Sequence, residues 1–508
     1  MKRLFKISKW LHKYLGLLLI VFLIWMSFSG ILLNHPDWFG SWMVPNALVP
    51  PPYRVHDWNQ GALRDALVLE DDQVLFAGLK GVWKSVDGGN SFQVDQDGLD
   101  SRFIYRKTND LHFDKASGLI FASTDGGLFR RPTQASTWRR CELKGSKNEK
   151  VKKVLSTPRG LVAVTDSNIY HQEGDTFSIV QVGRPNSGVE LIKLCFDIHD
   201  GKVWGLPGRL IMDVTALILA FLSLSALIIW LFPKLQESSR GAWYRWLKRA
   251  FKFCFQKHLK WSIWFGAPLL ILGLTGMFMR PPMLVFLAEK SVPNYLYPGP
   301  LPNNPWYKKI KNATYLPHSN EIIIEADGFW KAEFAKKTSA TPLDWQESPI
   351  HVMGTTVLEP IGEETFLLGS FSGLLTYRTD TQTATDYLTG EPAMNRSRIR
   401  SHEYRVTGYF QTDQGLEFAA SHHKGLSVLT SDGPSPDTVT FKMPDAVNQT
   451  PLWDYMFELH NGRIFSHWIG AWSKLLVPLA SILYVILSLS GFFDWYIITI
   501  FKKRKRRA

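Results

Sequence analysis

Six of the 14 histidines in this 508-residue chain stand where an apolar segment meets its polar flanks. His12 and His258 each open such a segment, His199 and His460 each precede one, and His35 and His467 lie at the same outer edges. Two neutral imidazoles on facing helices, in an apolar pocket, are a ligand set that holds a haem iron. By position His12 pairs with His258 on the inner side of a membrane and His199 with His460 on the outer side. His35 or His467 offers a substitute within the outer pair. From His12 to His35 the chain would span ~34 Å as helix, so the two sites would be stacked. One or two haem b groups there would form an electron path. A lone histidine beside Lys13 is ordinarily a polar anchor, so the weight rests on the repeated set.

The elements that must position these residues are four uncharged runs: Leu15–Leu33, Val214–Phe232, Trp261–Met279 and Leu475–Phe493. A helix needs about 20 such residues to cross a bilayer, so four transmembrane helices are expected. The net charge of +13 does not point to nucleic acid. Met1–Tyr14, Lys234–Lys257 and Lys502–Arg507 together hold 18 basic residues against one acid, which leaves 40 basic against 44 acidic elsewhere. That excess flanks the runs on alternate sides, and by the positive-inside rule both termini and the middle loop are cytoplasmic. The long stretches Asn34–Arg209 and Arg280–Lys474 then lie outside, which is the periplasm for a bacterial inner membrane. The first run ends in Asn34-His35-Pro36 without a small-x-small cleavage site, so it reads as an uncleaved anchor. Cys141 and Cys195 both fall outside, where a disulfide is possible.

The chain resolves into residues 1–34 (N-terminus and first span), 35–208 (first half of a β domain), 209–233 (second span), 234–257 (cytoplasmic amphipathic loop), 258–280 (third span), 281–473 (second half) and 474–508 (fourth span and basic tail). The two halves share one plan. His12 is followed by Ser29-Gly30 and Pro36, and His258 by Thr275-Gly276 and Pro282 at the same offsets. Phe196–Trp204 resembles Phe457–Phe465, and each leads to Leu-Ser-Leu-Ser (222–225 and 487–490), with four extra residues in the second copy. Two motifs repeated in one order indicate internal duplication.

Shorter repeats lie outside the membrane. Segments starting at 74, 119 and 161, then 321, 365 and 416, each read as an apolar strand, a small or polar turn and a second strand. Spacings of this size are those of β-propeller blades. Three repeats per half, with room for a fourth, suggest one propeller of six to eight blades; two separate sandwich-like domains are the alternative. Ser85-Val-Asp87-Gly-Gly89-Asn-Ser91-Phe92 resembles the Asp-box turn of sialidase-like propellers, a structural turn. The expected fold is therefore a membrane α-helical bundle, internally duplicated, plus an extracytoplasmic all-β, propeller-like domain split in two halves.

His12-x3-Gly16 opening an apolar run, the Ile/Leu-His-Asp/Asn-Gly steps at His199 and His460, and Gly205-Leu-Pro-Gly-Arg209 resemble the PepSY-associated transmembrane family. That resemblance covers the spans and their edges. It implies an inner-membrane protein akin to ferric-siderophore reductases that carry haem between their helices. Propeller-like repeats stand where PepSY domains usually sit, which leaves the substrate open.

Other polar residues have simpler readings. Asp213 sits four residues after Arg209, the spacing of an ion pair within one helix. Asp494 receives no role, and His422-His423 reads as an exposed turn. Trp243, Trp246, Leu247, Ala250, Phe251, Cys254 and Phe255 share a helical face with Arg245, Lys248, Arg249 and Lys252 off it, the pattern of a helix lying against anionic membrane lipid. No dinucleotide, phosphate-loop or zinc motif occurs, and the cytoplasmic pieces are too short for a flavin domain. Electrons would come from quinol or a separate reductase and pass to a periplasmic ferric chelate or protein acceptor. The alternative is a non-enzymatic, membrane-anchored propeller that acts as scaffold or sensor.

Overall fold

The computed structural model describes residues 2–54, 63–69, 73–146, 149–183, 188–235, 242–288, 290–301, 303–334, 337–345, 348–398, 402–412, 415–422, 425–430, 433–435, 441, 444 and 450–501. The basic run 502–507, residues 236–241 of the middle loop and His423 lie outside the described residues. The chain forms two compact units. One comprises Met1–Phe39, Gly188–Leu301 and Trp453–Ala508; the other comprises Gly40–Ser187 and Pro302–Leu452. The short helices before the second and fourth spans belong with the helical unit.

The helices of the first unit are α1 (Lys2–Asn34), α2 (Leu191–His199), α3 (Gly205–Leu235), α4 (Ala242–Trp264), α5 (Gly266–Phe278), α6 (Leu452–His460) and α7 (Ser473–Tyr496). Lys2–Asn34, Lys202–Lys234 and Arg463–Ile500 are each long and apolar enough to cross a membrane. Leu19 and Leu23 of α1, Leu219 of α3, Leu269 of α5 and Tyr484 and Leu487 of α7 meet in one buried cluster. Within the expected span Trp261–Met279, α4 and α5 meet at a bend of 69°, so the described residues hold three membrane-length helices, or four with this bent pair taken as one. The 13 residues of α5 cover only about 20 Å as helix, short of a bilayer core. Pro268 has no N–H to offer the carbonyl of Trp264, which breaks the helical ladder at this point. Gly266 then lets α5 close on α7, since a Cβ there would overlap the Phe492 ring.

The interfacial helix expected over the middle loop is likewise part of a longer element. Phe251 stacks on Phe232 of α3 at 4.8 Å and Cys254 is buried, whereas Trp243, Trp246 and Phe255 are exposed. The single apolar face divides because α4 packs on α3 along one side only.

Among the described residues the second unit contains six sheets, each built on four antiparallel strands, three from each long segment; in the fourth sheet Lys337–Ser339 intervenes before the last strand. Their first strands are Leu63–Val68, Thr108–Asp114, Val151–Thr157, Asn312–Leu316, Val357–Pro360 and Val406–Gln411. The third sheet gains Glu142–Leu143 and Lys337–Ser339, both parallel to its last strand. Each first strand packs against the first strand of the next sheet, and the sixth returns to the first. All six repeated segments fall on second and third strands, such as Val74–Gly78 with Gly81–Ser85. Those second strands are near-continuous apolar runs because sheets cover them on both faces. Among the described residues neither half supplies a fourth sheet.

Two apolar cores join the halves of this unit. Leu63, Phe76, Phe410 and Phe418 seal the first sheet to the sixth. Val162, Val164, Tyr315 and Ile324 seal the third to the fourth. Each such side chain contributes about 1.5–3 kcal/mol by leaving water. Met43–Val44 also pairs antiparallel with Thr450–Pro451 where the chain enters and leaves. The Asp-box is a turn, as expected: Asp87 accepts from the Ser91 N–H at 2.9 Å and from the Ser91 and Ser85 hydroxyls at 2.5 and 2.7 Å. Those hydroxyls hold its carboxyl down at about 2.

Candidate functional site: two histidine pairs

The helical unit brings the four repeated histidines together in the expected combinations. The rings of His12 (α1) and His258 (α4) lie 6.3 Å apart between centroids, with their planes at 89°. Those of His199 (α2) and His460 (α6) lie 6.4 Å apart at 75°. Along α1, His12 and the Ser29 that touches His460 are separated by about 25 Å of helix. The two pairs therefore occupy different depths of the unit.

Each histidine is held at Nδ1 by a hydroxyl from another helix. Ser29 reaches His460 at 2.8 Å, Thr275 reaches His199 at 2.8 Å and Ser225 reaches His258 at 2.8 Å. Ser490 reaches His12 at 3.3 Å, where the Leu487 carbonyl also lies 3.2 Å from Nδ1. Each of these hydroxyls also lies within hydrogen-bond distance of a carbonyl of its own helix. Ser29 donates to the Trp25 carbonyl, Thr275 to Ile271, Ser225 to Leu222 and Ser490 to Leu487. When the hydroxyl proton stays on that carbonyl, its oxygen accepts and the imidazole donates from Nδ1. That selects the tautomer with a free lone pair on Nε2, the arrangement that second-shell partners impose on metal-binding histidines. Among the described residues no hydrogen bond engages Nε2 of these four.

Small residues make room beside the rings. A Cβ on Gly30 would sit 3.5 Å from Cε1 of His460, and one on Gly276 would sit 3.4 Å from Cε1 of His199. Gly491 approaches His12 more closely, with 2.8 Å from its would-be Cβ to Cε1. Burial lowers His199 to about 4 and, with the neighbouring His199, lowers His460 to about 3; both precede the spans. Two facing neutral imidazoles can hold a metal centre between them. Among the described residues no cluster of three or more histidine, cysteine, aspartate or glutamate side chains forms a metal cage.

The two spare outer histidines are engaged elsewhere. His35 bonds through Nε2 to Asp213 at 2.7 Å and stacks on Trp38 at 4.0 Å. His467 bonds its own Ile464 carbonyl at 2.9 Å. Asp213 also accepts from Asn34 at 3.0 Å. The expected Arg209–Asp213 pair is thereby corrected: Arg209 turns instead to the Asn34 carbonyl, an acceptor from α1 that the helical spacing cannot reveal. Cys141 and Cys195 are free thiols in different units, so the disulfide is absent.

Sequence reasoning missed the four hydroxyls as ligand partners, although they were visible as the Ser29-Gly30, Thr275-Gly276 and Leu-Ser-Leu-Ser repeats. Backbone conformation also locates the extra residues of the second half. Gly201 and Gly462 share φ near 75°, at 78° and 72°, and Gly205 and Gly470 share φ 65° and 57° with ψ −146° and −135°. The additional four residues are thus Ser466–Ile469, the short helix that carries His467.

No curated protein matches the sequence. Among solved structures, the extracellular domain of the hybrid two-component system BT4673 of B. thetaiotaomicron is similar over 73% of this chain and 32% of its own, at 10% identity and a TM-score of 0.33. PorZ of the type-IX secretion system of Porphyromonas gingivalis is similar over 73% of this chain and 46% of its own, at 8% identity and a TM-score of 0.19. The chain thus spans about a third to a half of the length of these proteins. Residues 9–497 match the family described as the PepSY-associated TM region, and the chain belongs to that family of membrane proteins.

Proposed function

We propose that this protein conducts single electrons across the bacterial inner membrane on haem b, from quinol or a separate reductase to a periplasmic acceptor such as a ferric chelate. The observation that carries this reading is the two facing histidine pairs, each ring with a serine or threonine hydroxyl at Nδ1 and, among the described residues, no hydrogen bond at Nε2. The facing rings of both pairs, 6.3 and 6.4 Å apart between centroids, would hold a metal centre between them. His12 with His258, and His199 with His460, would hold one haem each. Bound haem iron supplies one-electron exchange. Quinol, as a two-electron donor, would deliver its electrons one at a time and release two protons. A ferric chelate would take one electron per iron.

The matching partners in the two halves support an internal duplication with a pseudo-two-fold axis along the membrane normal. The cyclic order of six four-stranded sheets supports a single six-bladed propeller in the periplasm. The basic segments support cytoplasmic termini and a cytoplasmic middle loop. A reporter active only in the cytoplasm is expected to work when fused after Lys257 and to be silent after Gly174; activity at Gly174 would refute this orientation. The functional reading is tested by the optical spectrum of protein purified from haem-replete cells. Reduction is expected to produce a b-type spectrum at two haems per chain, and a chain without haem would leave a scaffold or sensor as the better account.

A further inference from the structure

We infer that the β unit carries an anion-binding site at the end where its first strands begin, formed by Arg64, Lys150 and Lys152 around Asp125. Three consecutive first strands bulge at their second residue, and the ladders there skip Arg64, Asn109 and Lys152. A bulge at a fixed position re-aims a side chain away from the ladder. The Arg64 guanidinium donates to the Asn109 side-chain oxygen, and Asn109 Nδ2 donates to Asp125 at 3.1 Å. The other Asp125 oxygen accepts from Lys150 at 2.9 Å. Arg64, Asn109, Asp125 and Lys150 therefore form one connected chain spanning three sheets.

Lys152 completes the group. Its ammonium lies within electrostatic reach of Asp125, Arg64, Lys150 and Asp166, yet among the described residues no hydrogen bond or ion pair satisfies it. Burial, followed by Arg64 and Lys150, pulls Lys152 below the ordinary lysine value against the opposing attraction of Asp125. Burial alone would raise Asp125, and Lys150, Arg64 and Lys152 more than reverse that. Asp166 accepts from the Ser167 hydroxyl at 2.7 Å, and Glu325 accepts from the Thr355 N–H at 3.0 Å and its hydroxyl at 2.5 Å. Of the three cations only Lys150 is ion-paired to Asp125, and Lys152 has no hydrogen-bonded or ion-paired carboxylate among the described residues.

A partly buried cation without a partner is unfavourable, so this arrangement is most stable with an anion present. Arg64 presents a planar fork and the two lysines present point charges, a set suited to carboxylate or catecholate oxygens. Lys107, Lys150, Lys311 and Arg405 each immediately precede a first strand, which extends the positive field at this end of the sheets. The ligand class is a small polyanion with its charge on such oxygens. Only the identification of that polyanion with an anionic ferric chelate rests on the proposed electron-transfer function.

The test is calorimetric titration of the full-length protein with gallium(III) tris-catecholate, a redox-inert trianion, and with an uncharged gallium trihydroxamate. The trianion is expected to bind at least about tenfold more tightly, and to weaken with ionic strength while the neutral probe does not. Lys152→Met is expected to lose about tenfold in affinity for the trianion without a fall in melting temperature, since it removes a charge that the free protein leaves unpaired. Equal affinity for both probes, or unchanged trianion binding in both Lys152→Met and Arg64→Gln, would overturn the site. Inorganic phosphate that competes as well as the chelate would overturn the chelate assignment in favour of a general anion site. Lys152-dependent binding by a chain that contains no haem would sink the electron-transfer reading and leave this one standing.

Discussion

His12→Ala and His258→Ala will each remove about half of the bound haem, the same half, and the double variant will lose no more. On the proposed reading each substitution would delete one of the two residues that would hold the inner haem, and no other histidine lies in the inner pair to replace it. His199→Ala and His460→Ala will remove the other half. The outer pair also lacks a substitute, because Asp213 holds His35 through Nε2 and His467 is tied to its own turn. Pyridine haemochrome content per chain is the measurement. The conservative change Thr275→Val is expected to retain haem but weaken its retention about tenfold or more, as loss of an outer-shell partner does elsewhere. Full haem content in all four alanine variants would end the assignment of these ligands.

Residues 40–187 expressed alone will aggregate or melt without cooperativity, and will recover when residues 302–452 are supplied in trans. The isolated first segment would lose Lys337–Ser339 from the edge of the last strand of sheet 3 and uncover the outer faces of sheets 1 and 3. It would also lose Phe410 and Phe418 from the core around Phe76, and Tyr315 and Ile324 from the core around Val162. Several side chains worth about 1.5–3 kcal/mol each then face water, against a typical domain stability of about 5–15 kcal/mol. The Thr407 hydroxyl, which bonds the Leu63 carbonyl at 2.7 Å, marks the same seam. Circular dichroism melting of the fragment decides the matter: a cooperative monomeric transition would mean that the two segments fold independently.

What the sequence determined by itself was periodic or compositional. Uncharged runs of membrane length, basic flanks and strand–turn–strand repeats report burial and solvation, which act residue by residue along the chain. The pairing of His12 with His258 and of His199 with His460 was also legible, because the matched offsets in the two halves give the four histidines equivalent positions. Tertiary structure decided what depends on neighbours distant in sequence. The bend between Trp264 and Gly266 follows from Pro268 and from the close approach of Phe492, 226 positions beyond Gly266. Asp213 turned from the neighbouring Arg209 to His35 because a buried carboxylate takes the donors that surround it in space. The serine and threonine hydroxyls that reach Nδ1 of the four histidines come from other helices, so only the fold could assign them. Hydrogen bonds and packing are short-ranged in space, so only the folded chain could choose among partners that the sequence leaves equally available.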